Sequence, residues 1–247
     1  MLESPNQDAI RGTKPQLPPS RSLARKLKHV ALFCAGREVL YSPEVRCPFE
    51  ILGNEGANFA VCPDRLASDS VVYSFGIGTD ISFDLGLMRR FGVRVHAFDP
   101  TPRSLAWLKT QNLPPHFEVH EYGVAGHDGV VEFAPPDSPD HVSHTIVAGR
   151  GLRTVSAPVR RLATIMRDLG HTSIDLLKMD VEGAEYDVIR DLVSLPLPVG
   201  QLCIEFHHRW RQVGAGKTRQ AVAALRSAGY RLFHVSDLGS EYSFLGR

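Results

Sequence analysis

The sequence has no long apolar run and no excess of charge of one sign. None of its hydrophobic stretches approaches the roughly 20 residues that a transmembrane helix requires, and residues 1–20 are polar, without the apolar centre of a signal peptide. Lysine and arginine number 28 against 27 aspartates and glutamates, so the formal net charge is +1. This balance gives no global attraction to nucleic acid or to anionic membranes. We therefore expect a cytoplasmic protein that neither spans a membrane nor binds nucleic acid.

Cysteine is also scarce. The four cysteines are widely spaced and form no Cys-x-x-Cys pair: Cys34, Cys47, Cys62 and Cys203. This spacing argues against a structural zinc site. In a reducing compartment we expect free, mostly buried thiols, although Cys47 and Cys62 flank one loop and could lie close enough to form a disulfide.

The length predicts one domain with an N-terminal extension. The 247 residues, 43% of them hydrophobic, suffice for one large core but only marginally for two. Residues 1–40 are assigned to the extension and residues 41–247 to the domain. Within the extension, residues 20–33 place apolar side chains at helical spacing among lysines and arginines, which predicts a short basic helix. Its apolar stripe either packs on the domain or contacts a membrane or a partner.

From residue 70, short apolar runs alternate with helical stretches. The predicted strands are Val71–Phe75, Arg94–Phe98, Phe117–Tyr122, Val130–Phe133, Ile174–Met179, Gln201–Phe206, Tyr230–Val235 and Tyr242–Leu245. The predicted helices are Ile81–Arg90, 102–111, Leu162–Leu169, Glu185–Leu192 and 217–228. This alternation predicts a doubly wound, mostly parallel, seven-stranded Rossmann-like α/β sheet with helices on both faces. Residues 41–66 and 135–157 are expected to be irregular.

A glycine-containing turn, YSFGIGTD at residues 73–80, joins the first of these strands to the first helix. Gly76 and Gly78 let the backbone approach a ligand closely, or could simply form a tight turn. Asp99 follows the next strand, about 20 residues later, where a carboxylate can accept two hydrogen bonds from a ribose diol or can begin a helix. Together these residues indicate a nucleotide-like cofactor. They leave both a nicotinamide dinucleotide and S-adenosylmethionine open.

A third segment decides between the two cofactors. The predicted strand at residues 174–179 runs into KMDVEGAE, residues 178–185, which resembles the signature of the FkbM-type methyltransferases. VVYSFGIGTDISFD, residues 71–84, resembles the cofactor loop of a related methyltransferase-like branch, and CIEFHH, residues 203–208, resembles the family's following strand. The resemblance covers roughly residues 45–245 and implies an S-adenosylmethionine-dependent methyltransferase on a Rossmann-like sheet.

The resemblance also implies roles for individual residues. The cofactor-binding positions are Ser74, Gly76, Gly78, Asp80, Asp99, Gly123, Val124 and Asp180. Gly76 and Gly78 would wrap the methionine part of the cofactor, and Asp99 would take the ribose hydroxyls. Gly123 and Val124, with Ala125, would line the adenine. Ser74 stands where many family members have an acidic residue, so either Ser74 or Asp80 would lie near the ammonium group.

Methyl transfer to a hydroxyl requires removal of a proton. The candidate catalytic residues are Asp180, Glu182, Glu205 and His207. His207 is either the base or a surface residue beside His208, and Glu182 and Glu185 could instead cap the following helix. Lys178 is expected to pair with these carboxylates. Asp180, Glu205 and His207 could also hold a divalent cation, but we expect no metal.

We therefore predict an S-adenosylmethionine-dependent methyltransferase that methylates a hydroxyl of a sugar, glycan or natural product. N-methylation and a protein acceptor stay open. A nicotinamide oxidoreductase would normally have a third glycine in its loop, which is absent here, and a degenerate fold would bind a cofactor or a partner without turnover. The segment that contains His141, Ser143 and His144 is either a substrate lid or a connector.

Overall fold

In a computed structural model of the chain, the described residues are 27, 30–134, 145–146 and 155–246. The chain divides into two compact units, Met1–Glu38 and Val39–Arg247. In the first unit, residue 27 and residues 30–34 are helical, and the remainder of the predicted basic helix lies outside the described residues. His141, Ser143 and His144 also lie outside them.

Among the described residues, the second unit contains 13 strands and five α-helices. Its strands are β1 (Glu50–Leu52), β2 (Phe59–Val61), β3 (Val71–Phe75), β4 (Arg94–Phe98), β5 (Phe117–His120), β6 (Gly123–Val124), β7 (Gly129–Ala134), β8 (Thr145–Ile146), β9 (Val155–Arg160), β10 (Ile174–Met179), β11 (Val199–Glu205), β12 (Arg231–Val235) and β13 (Glu241–Leu245). Its helices are α1 (Ser82–Phe91), α2 (Pro102–Leu108), α3 (Leu162–Leu169), α4 (Glu185–Ser194) and α5 (Gly214–Ser227).

Seven strands form the central sheet, in the order β12-β13-β11-β10-β3-β4-β5. The five strands from β11 to β5 run parallel, whereas β13 is antiparallel to both β11 and β12. Parallel neighbours need crossover connections, and α1 to α4 provide them between these strands. The prediction of a mostly parallel seven-stranded sheet is confirmed.

Helices cover both faces of this sheet. Side chains that alternate along β3 enter two different cores: Tyr73 and Phe75 pack with residues of α3, α4 and α5, whereas Val72 packs with residues of α1 and α2. Burial on both faces explains why the central strands are continuous apolar runs in the sequence. In a sheet that is covered on both faces, the carboxyl ends of the parallel strands are the expected place for a ligand.

Two parts of the fold differ from the sequence-based expectation. Residues 155–160 form β9, whose first three residues fall in the segment 135–157 that was expected to be irregular, and β9 joins β6, β7 and β8 in a second sheet. Residues 50–52 and 59–61 form a hairpin inside the segment that was expected to be irregular. Pro158 interrupts the apolar pattern of β9, and β1 and β2 are only three residues long, so neither gives a clear strand signal.

All four cysteines are free thiols. Cys62 and Cys203 are buried, Cys47 is half-buried and Cys34 is exposed. Among the described residues, no helix has both the length and the apolar character needed to cross a membrane.

Candidate functional site

A cavity of about 240 Å³ lies at the carboxyl ends of β3, β4 and β10. This edge is where a parallel sheet is expected to bind its ligand. The glycine loop, residues 75–80, forms one wall of the cavity, Asp99 and Pro100 form part of a second, and Asp180 with Val181 forms a third. The structure therefore brings three segments of the sequence that were predicted to be functional around one cavity.

The glycine loop is held tightly against the end of β10. Gly76 has a φ of +78°, and a Cβ atom built on it would lie 1.7 Å from the backbone oxygen of Asp180, so only glycine fits there. Beneath the loop, Lys178 Nζ donates to the backbone oxygen of Phe75 at 3.2 Å and to that of Gly76. The expectation that Lys178 forms an ion pair with the neighbouring carboxylates is therefore wrong, because its ammonium group is bound to loop carbonyls.

Asp99 organises the same loop from the side of β4. Its side chain is 4% exposed. Its Oδ2 accepts hydrogen bonds from the backbone N–H groups of Ile77 at 2.9 Å and Gly78 at 3.1 Å, and its Oδ1 accepts from the N–H and hydroxyl of Thr101 at 2.8 and 2.6 Å. These bonds use about the full capacity of a carboxylate. Asp99 lines the cavity, and its ribose-binding role stays a prediction.

The two residues predicted near the cofactor's ammonium group differ in how they are engaged. Asp80 Oδ1 accepts from the N–H of Ser82 at 2.7 Å, and its Oδ2 accepts from Asn54 Nδ2 at 3.1 Å. These bonds hold the pKa of Asp80 below its ordinary value against the effect of burial, which raises it. Ser74 is fully buried, and its hydroxyl lowers the pKa of the Asp84 carboxyl as a hydrogen-bond donor.

Asp84 is a residue of the cavity wall that the sequence analysis did not select. It lies in the first turn of α1, is only 2% exposed, and its Oδ1 has no hydrogen-bond partner. Burial raises its pKa, although the positive charge of Lys178 lowers it. One signal was available in the sequence, since Asp84 directly follows Phe83 on the buried face of an otherwise apolar helix stripe.

The predicted adenine-binding residues lie on a short strand next to the cavity. Gly123 and Val124 form β6, are buried, and line the cavity together with Val159 of β9. Ala125 instead packs in a small hydrophobic cluster with Val131 and other residues of the second sheet. Gly123 lies against Pro100, because a Cβ atom there would be 3.1 Å from Pro100 Cγ.

A charged cluster lies beyond the ends of β10 and β11. It consists of Asp180, Glu182, Glu185, Glu205 and His207. His207 is 8% exposed, so its interpretation as a surface histidine is wrong. Its Nδ1 lies 3.2 Å from Glu185 Oε1, and its Nε2 lies 3.1 Å from Glu182 Oε2 and 3.7 Å from Asp180 Oδ1.

The E-G-x-E turn of the sequence explains this arrangement. Glu182 has a φ of +52° and Gly183 a φ of +99°, which reverses the chain directly after β10. Glu185 is fully buried, and it accepts hydrogen bonds from the N–H of Gly183 at 2.8 Å and from the N–H of His207 at 3.1 Å. A single buried carboxylate thereby fixes both the turn and the end of β11.

Burial and an excess of carboxylates over cations shift the pKa values of the cluster. Burial raises the pKa of Glu205 to about 8, and it also raises the pKa of Asp180. Burial alone would lower the pKa of His207, but the hydrogen bonds to Glu182 and Glu185 outweigh it and raise the value to about 11. Asp180 and Glu182 line the cavity, so part of this charge faces its interior.

The cluster also has the spacing of a cation site. One ligand atom from each of Asp180, Glu205 and His207 lies within 4.8 Å of the other two. Oxygen and imidazole ligands at this spacing suit a divalent metal. Both ring nitrogens of His207 already lie within 3.2 Å of carboxylate oxygens of the cluster. The expectation that the site holds no metal stays a prediction.

The fold and the site together define a class of protein. A doubly wound sheet with a glycine loop and an acid-lined cavity at its carboxyl edge is an α/β protein that binds a nucleotide-like cofactor. The model of the methyltransferase FkbM domain matches residues 46–232. The chain belongs to this methyltransferase family, which confirms the resemblance found in the sequence. The family also confirms S-adenosylmethionine as the expected cofactor.

Two mammalian proteins are similar in sequence. Probable methyltransferase-like protein 24 of Homo sapiens is 28% identical over 185 residues, which cover 70% of this chain and 45% of that protein. The protein of the same name from Rattus norvegicus is 29% identical over the same shares. The match thus spans less than half the length of these curated relatives.

Two archaeal structures are distantly similar. The fibrillarin of Aeropyrum pernix, solved with bound S-adenosyl-L-methionine, has a TM-score of 0.40 and 11% identity, and the match covers 73% of this chain and 66% of that one. The Methanococcus jannaschii fibrillarin, a pre-rRNA processing protein, has a TM-score of 0.43 and 11% identity over 73% and 69% of the two chains.

Proposed function

We propose that this protein transfers the methyl group of S-adenosylmethionine to a hydroxyl group of a sugar, glycan or natural-product acceptor. The observation that carries the proposal is the position of the cavity between the glycine loop and the charged cluster. A cofactor in this cavity would have its methionine part beside Gly76 and Gly78. Its methyl group would then lie near Asp180, where the carboxylates of the cluster are concentrated.

The residues that line the cavity fit this cofactor. Gly76 lets the glycine loop pack against the end of β10, because a Cβ atom there would meet the Asp180 backbone oxygen, and Gly78 lines the cavity without a side chain. Val124 offers an apolar wall for adenine, and Asp99 stands at the end of β4 beside Thr101. The Oδ1 atoms of Asp84 and Asp180 are buried without a hydrogen-bond partner. Such atoms are costly unless a ligand satisfies them, which supports a polar ligand at this edge.

The charged cluster supplies what transfer to a hydroxyl requires. Bound S-adenosylmethionine provides a methyl group on a positively charged sulfur, which leaves as the neutral thioether once the acceptor oxygen has attacked. In the proposal, the Asp180 carboxylate accepts the hydroxyl proton in this step, because it lines the cavity and its raised pKa makes it a stronger base than an ordinary aspartate. His207 stays protonated between Glu182 and Glu185 and offsets the negative charge of the cluster.

In this proposal, residues 41–247 form the methyltransferase domain. The protein acts in the cytoplasm, and its acceptor is a small molecule or a glycan. The support for excluding a nucleic-acid acceptor is the formal net charge of +1 on the whole chain, because phosphate binding usually requires clustered lysine and arginine.

The first test is calorimetric titration of the full chain with S-adenosylhomocysteine and, separately, with NADH. We expect micromolar binding of S-adenosylhomocysteine, no heat with NADH, and a large loss of affinity in Asp99→Ala, because the glycine loop loses its acceptor. Asp69→Ala, at an exposed aspartate outside the cavity, is the matched control. Binding of NADH in place of S-adenosylhomocysteine would contradict the proposal.

The second test identifies the acceptor. The chain is incubated with S-adenosylmethionine that carries a labelled methyl group and with pairs of acceptors that differ only in a hydroxyl or an amine. We expect label in the hydroxyl-bearing member of a pair. Label in the amine alone would contradict O-methylation but not methyl transfer, and cofactor binding without any labelled product from cell extracts would favour a binding protein.

A further inference from the structure

We infer that Asp84 binds the ammonium group of the methionine part of the cofactor. This assignment rests on the proposed function. It adds that Asp84 gives the cavity a preference for ligands that carry an amino group. Asp84 projects from the first turn of α1 into the cavity, next to the glycine loop. In the proposed binding mode, the glycine loop surrounds the methionine part of the cofactor.

The first support is the condition of the Asp84 carboxylate. The residue is only 2% exposed, and its Oδ1 makes no hydrogen bond. A buried acceptor without a donor is costly, and a buried carboxylate more so. A ligand that brings a positively charged N–H donor would remove this cost, and the methionine ammonium is such a donor.

The second support is the polarity of the surroundings. Ser74 lies in register with Lys178 on the neighbouring strand, and both contribute to the electrostatic environment of Asp84. The buried Ser74 hydroxyl donates to the Asp84 carboxylate and lowers its pKa, and the carboxylate keeps capacity for a further donor at Oδ1. Lys178 is occupied by the carbonyls of Phe75 and Gly76, which leaves the Asp84 carboxylate without a direct ion-pair partner among the described residues.

The balance of charge favours a cationic ligand group. The carboxylates that line the cavity are Asp80, Asp84, Asp99, Asp180 and Glu182, whereas the lining cation is Lys178. The ammonium group of the methionine part would reduce this excess of negative charge. A hydrogen bond between an ammonium group and a carboxylate is also stronger than one between neutral groups.

The other carboxylates of the cavity are less suited to this role. Both oxygens of Asp80 accept hydrogen bonds within the protein, and both oxygens of Asp99 do so as well. Asp180 and Glu182 belong to the charged cluster, with carboxylate oxygens 3.7 and 3.1 Å from His207 Nε2. Asp84 therefore replaces Ser74 and Asp80 as the ammonium-binding candidate.

The test measures the affinity of two ligands for wild type and for Asp84→Asn by calorimetry. One ligand is S-adenosylhomocysteine, and the other is its analogue in which hydrogen replaces the amino group. We expect Asp84→Asn to weaken binding of S-adenosylhomocysteine by roughly 10- to 100-fold, the range of a hydrogen bond between charged groups. We expect the deaminated analogue to bind wild type and Asp84→Asn equally.

Three controls keep the outcome clear. Asp69→Asn removes an exposed carboxylate and is expected to change neither affinity. Asp84→Glu keeps the charge and is expected to retain a preference for the amino-bearing ligand, which a merely structural role would not produce. Thermal unfolding of each variant confirms that it is folded.

The possible outcomes separate this inference from the proposed function. If wild type binds S-adenosylhomocysteine and Asp84→Asn binds it with the same affinity, the inference is overturned while the proposed function stands. An equal loss of affinity for both ligands would overturn it too, because Asp84 would then only shape the cavity. If wild type binds neither ligand, the proposed function fails and the assignment fails with it.

Discussion

The two sides of the cavity use their carboxylates in opposite ways. On the cofactor side, formed by the glycine loop and Asp99, the Asp99 carboxylate accepts hydrogen bonds from backbone N–H groups on both oxygens. On the acidic side, formed by the charged cluster, carboxylates face one another and a single histidine. The first arrangement holds the backbone of the glycine loop in place. The second raises the pKa values of carboxyl groups, so that they can accept a proton more readily.

The pKa values reflect this difference. Hydrogen bonds to Ser82 and Asn54 keep the pKa of Asp80 low on the cofactor side, whereas burial raises the pKa of Glu205 to about 8 on the acidic side. A carboxylate that already accepts backbone hydrogen bonds is a poor base, and one crowded by like charges is a better one. The comparison therefore assigns shape and binding to the cofactor side and proton transfer to the acidic side.

The largest expected effect comes from Asp180→Asn, which tests whether the acidic side performs the chemistry. We expect the turnover number for methyl transfer to fall by about 100- to 10,000-fold, the contribution of a general base, while the affinity for S-adenosylhomocysteine changes little. Rapid-quench measurement of labelled product gives the first quantity and calorimetry the second.

Asp187→Asn is the matched control for this variant, because Asp187 is an aspartate whose side chain is 64% exposed on α4. If Asp180→Asn keeps the turnover of wild type, the division of roles between the two sides is wrong. If it loses cofactor affinity as severely as turnover, Asp180 belongs to the cofactor side instead.

The next largest effect is expected from Gly76→Ala, which tests the rigidity of the cofactor side. The φ of +78° disfavours alanine, and the added Cβ atom would meet the Asp180 backbone oxygen at 1.7 Å. We expect the free energy of unfolding to fall by about 3 kcal/mol, which combines backbone strain of about 1 kcal/mol with overpacking. Urea denaturation of both proteins measures this difference.

Gly170→Ala separates the two contributions. Gly170 ends α3 with a φ of +74°, and a Cβ atom there would have nothing within 4 Å. This variant should therefore lose only the backbone term, about 1 kcal/mol. Equal losses in the two variants would mean that the loop can move away from Asp180, so that the cofactor side is not rigid.

The sequence predicts those elements whose pattern is unambiguous. Arg94–Phe98, Ile174–Met179 and Leu162–Leu169 have the predicted bounds, because each apolar pattern ends at a charged residue, a glycine or a turn. β9 was missed because burial of Ala157 and Val159 depends on its pairing with β6 and β7, which lie far away in sequence. Strand pairing of this kind is a tertiary property.

The candidate site follows the same rule. Side chains at strand ends, such as Asp180 and His207, could be predicted to converge because parallel strands end at one edge. The partners of Lys178 could not, since they are backbone carbonyls of another strand. Asp84 interrupts the apolar stripe of α1, but this local pattern does not show that the position lines the cavity.

A smaller effect is expected from titration of His96, which lies in the middle of β4, three residues before Asp99. Burial lowers its pKa to about 4, compared with about 6.5 in an unfolded chain. Because protonation then favours the unfolded state, stability should be lost as the pH falls from about 6.5 towards 4, by at most about 1.4 kcal/mol per pH unit. The groups that face His96 are Tyr73, Arg94, Glu118, His120 and His171.

Urea denaturation of wild type and His96→Asn across this pH range measures the effect. The slope of stability against pH should be shallower in the variant, and His116→Asn, at an exposed histidine, should keep the slope of wild type. If His96→Asn has the same slope as wild type, titration of His96 does not cause the loss of stability at low pH.

The smallest effect is expected from Asp80→Ala, and it divides the cofactor side itself. Asp80 accepts the N–H of Ser82 at the start of α1, so its loss should lower the free energy of unfolding by about 1 kcal/mol. Since both of its oxygens are engaged within the protein, the affinity for S-adenosylhomocysteine should change by no more than about threefold, a difference below 1 kcal/mol. Denaturation and calorimetry on the same preparation test both statements. A tenfold loss of affinity in Asp80→Ala, with stability unchanged, would assign the ammonium group to Asp80 and remove the distinction between engaged and unengaged carboxylates on which the comparison depends.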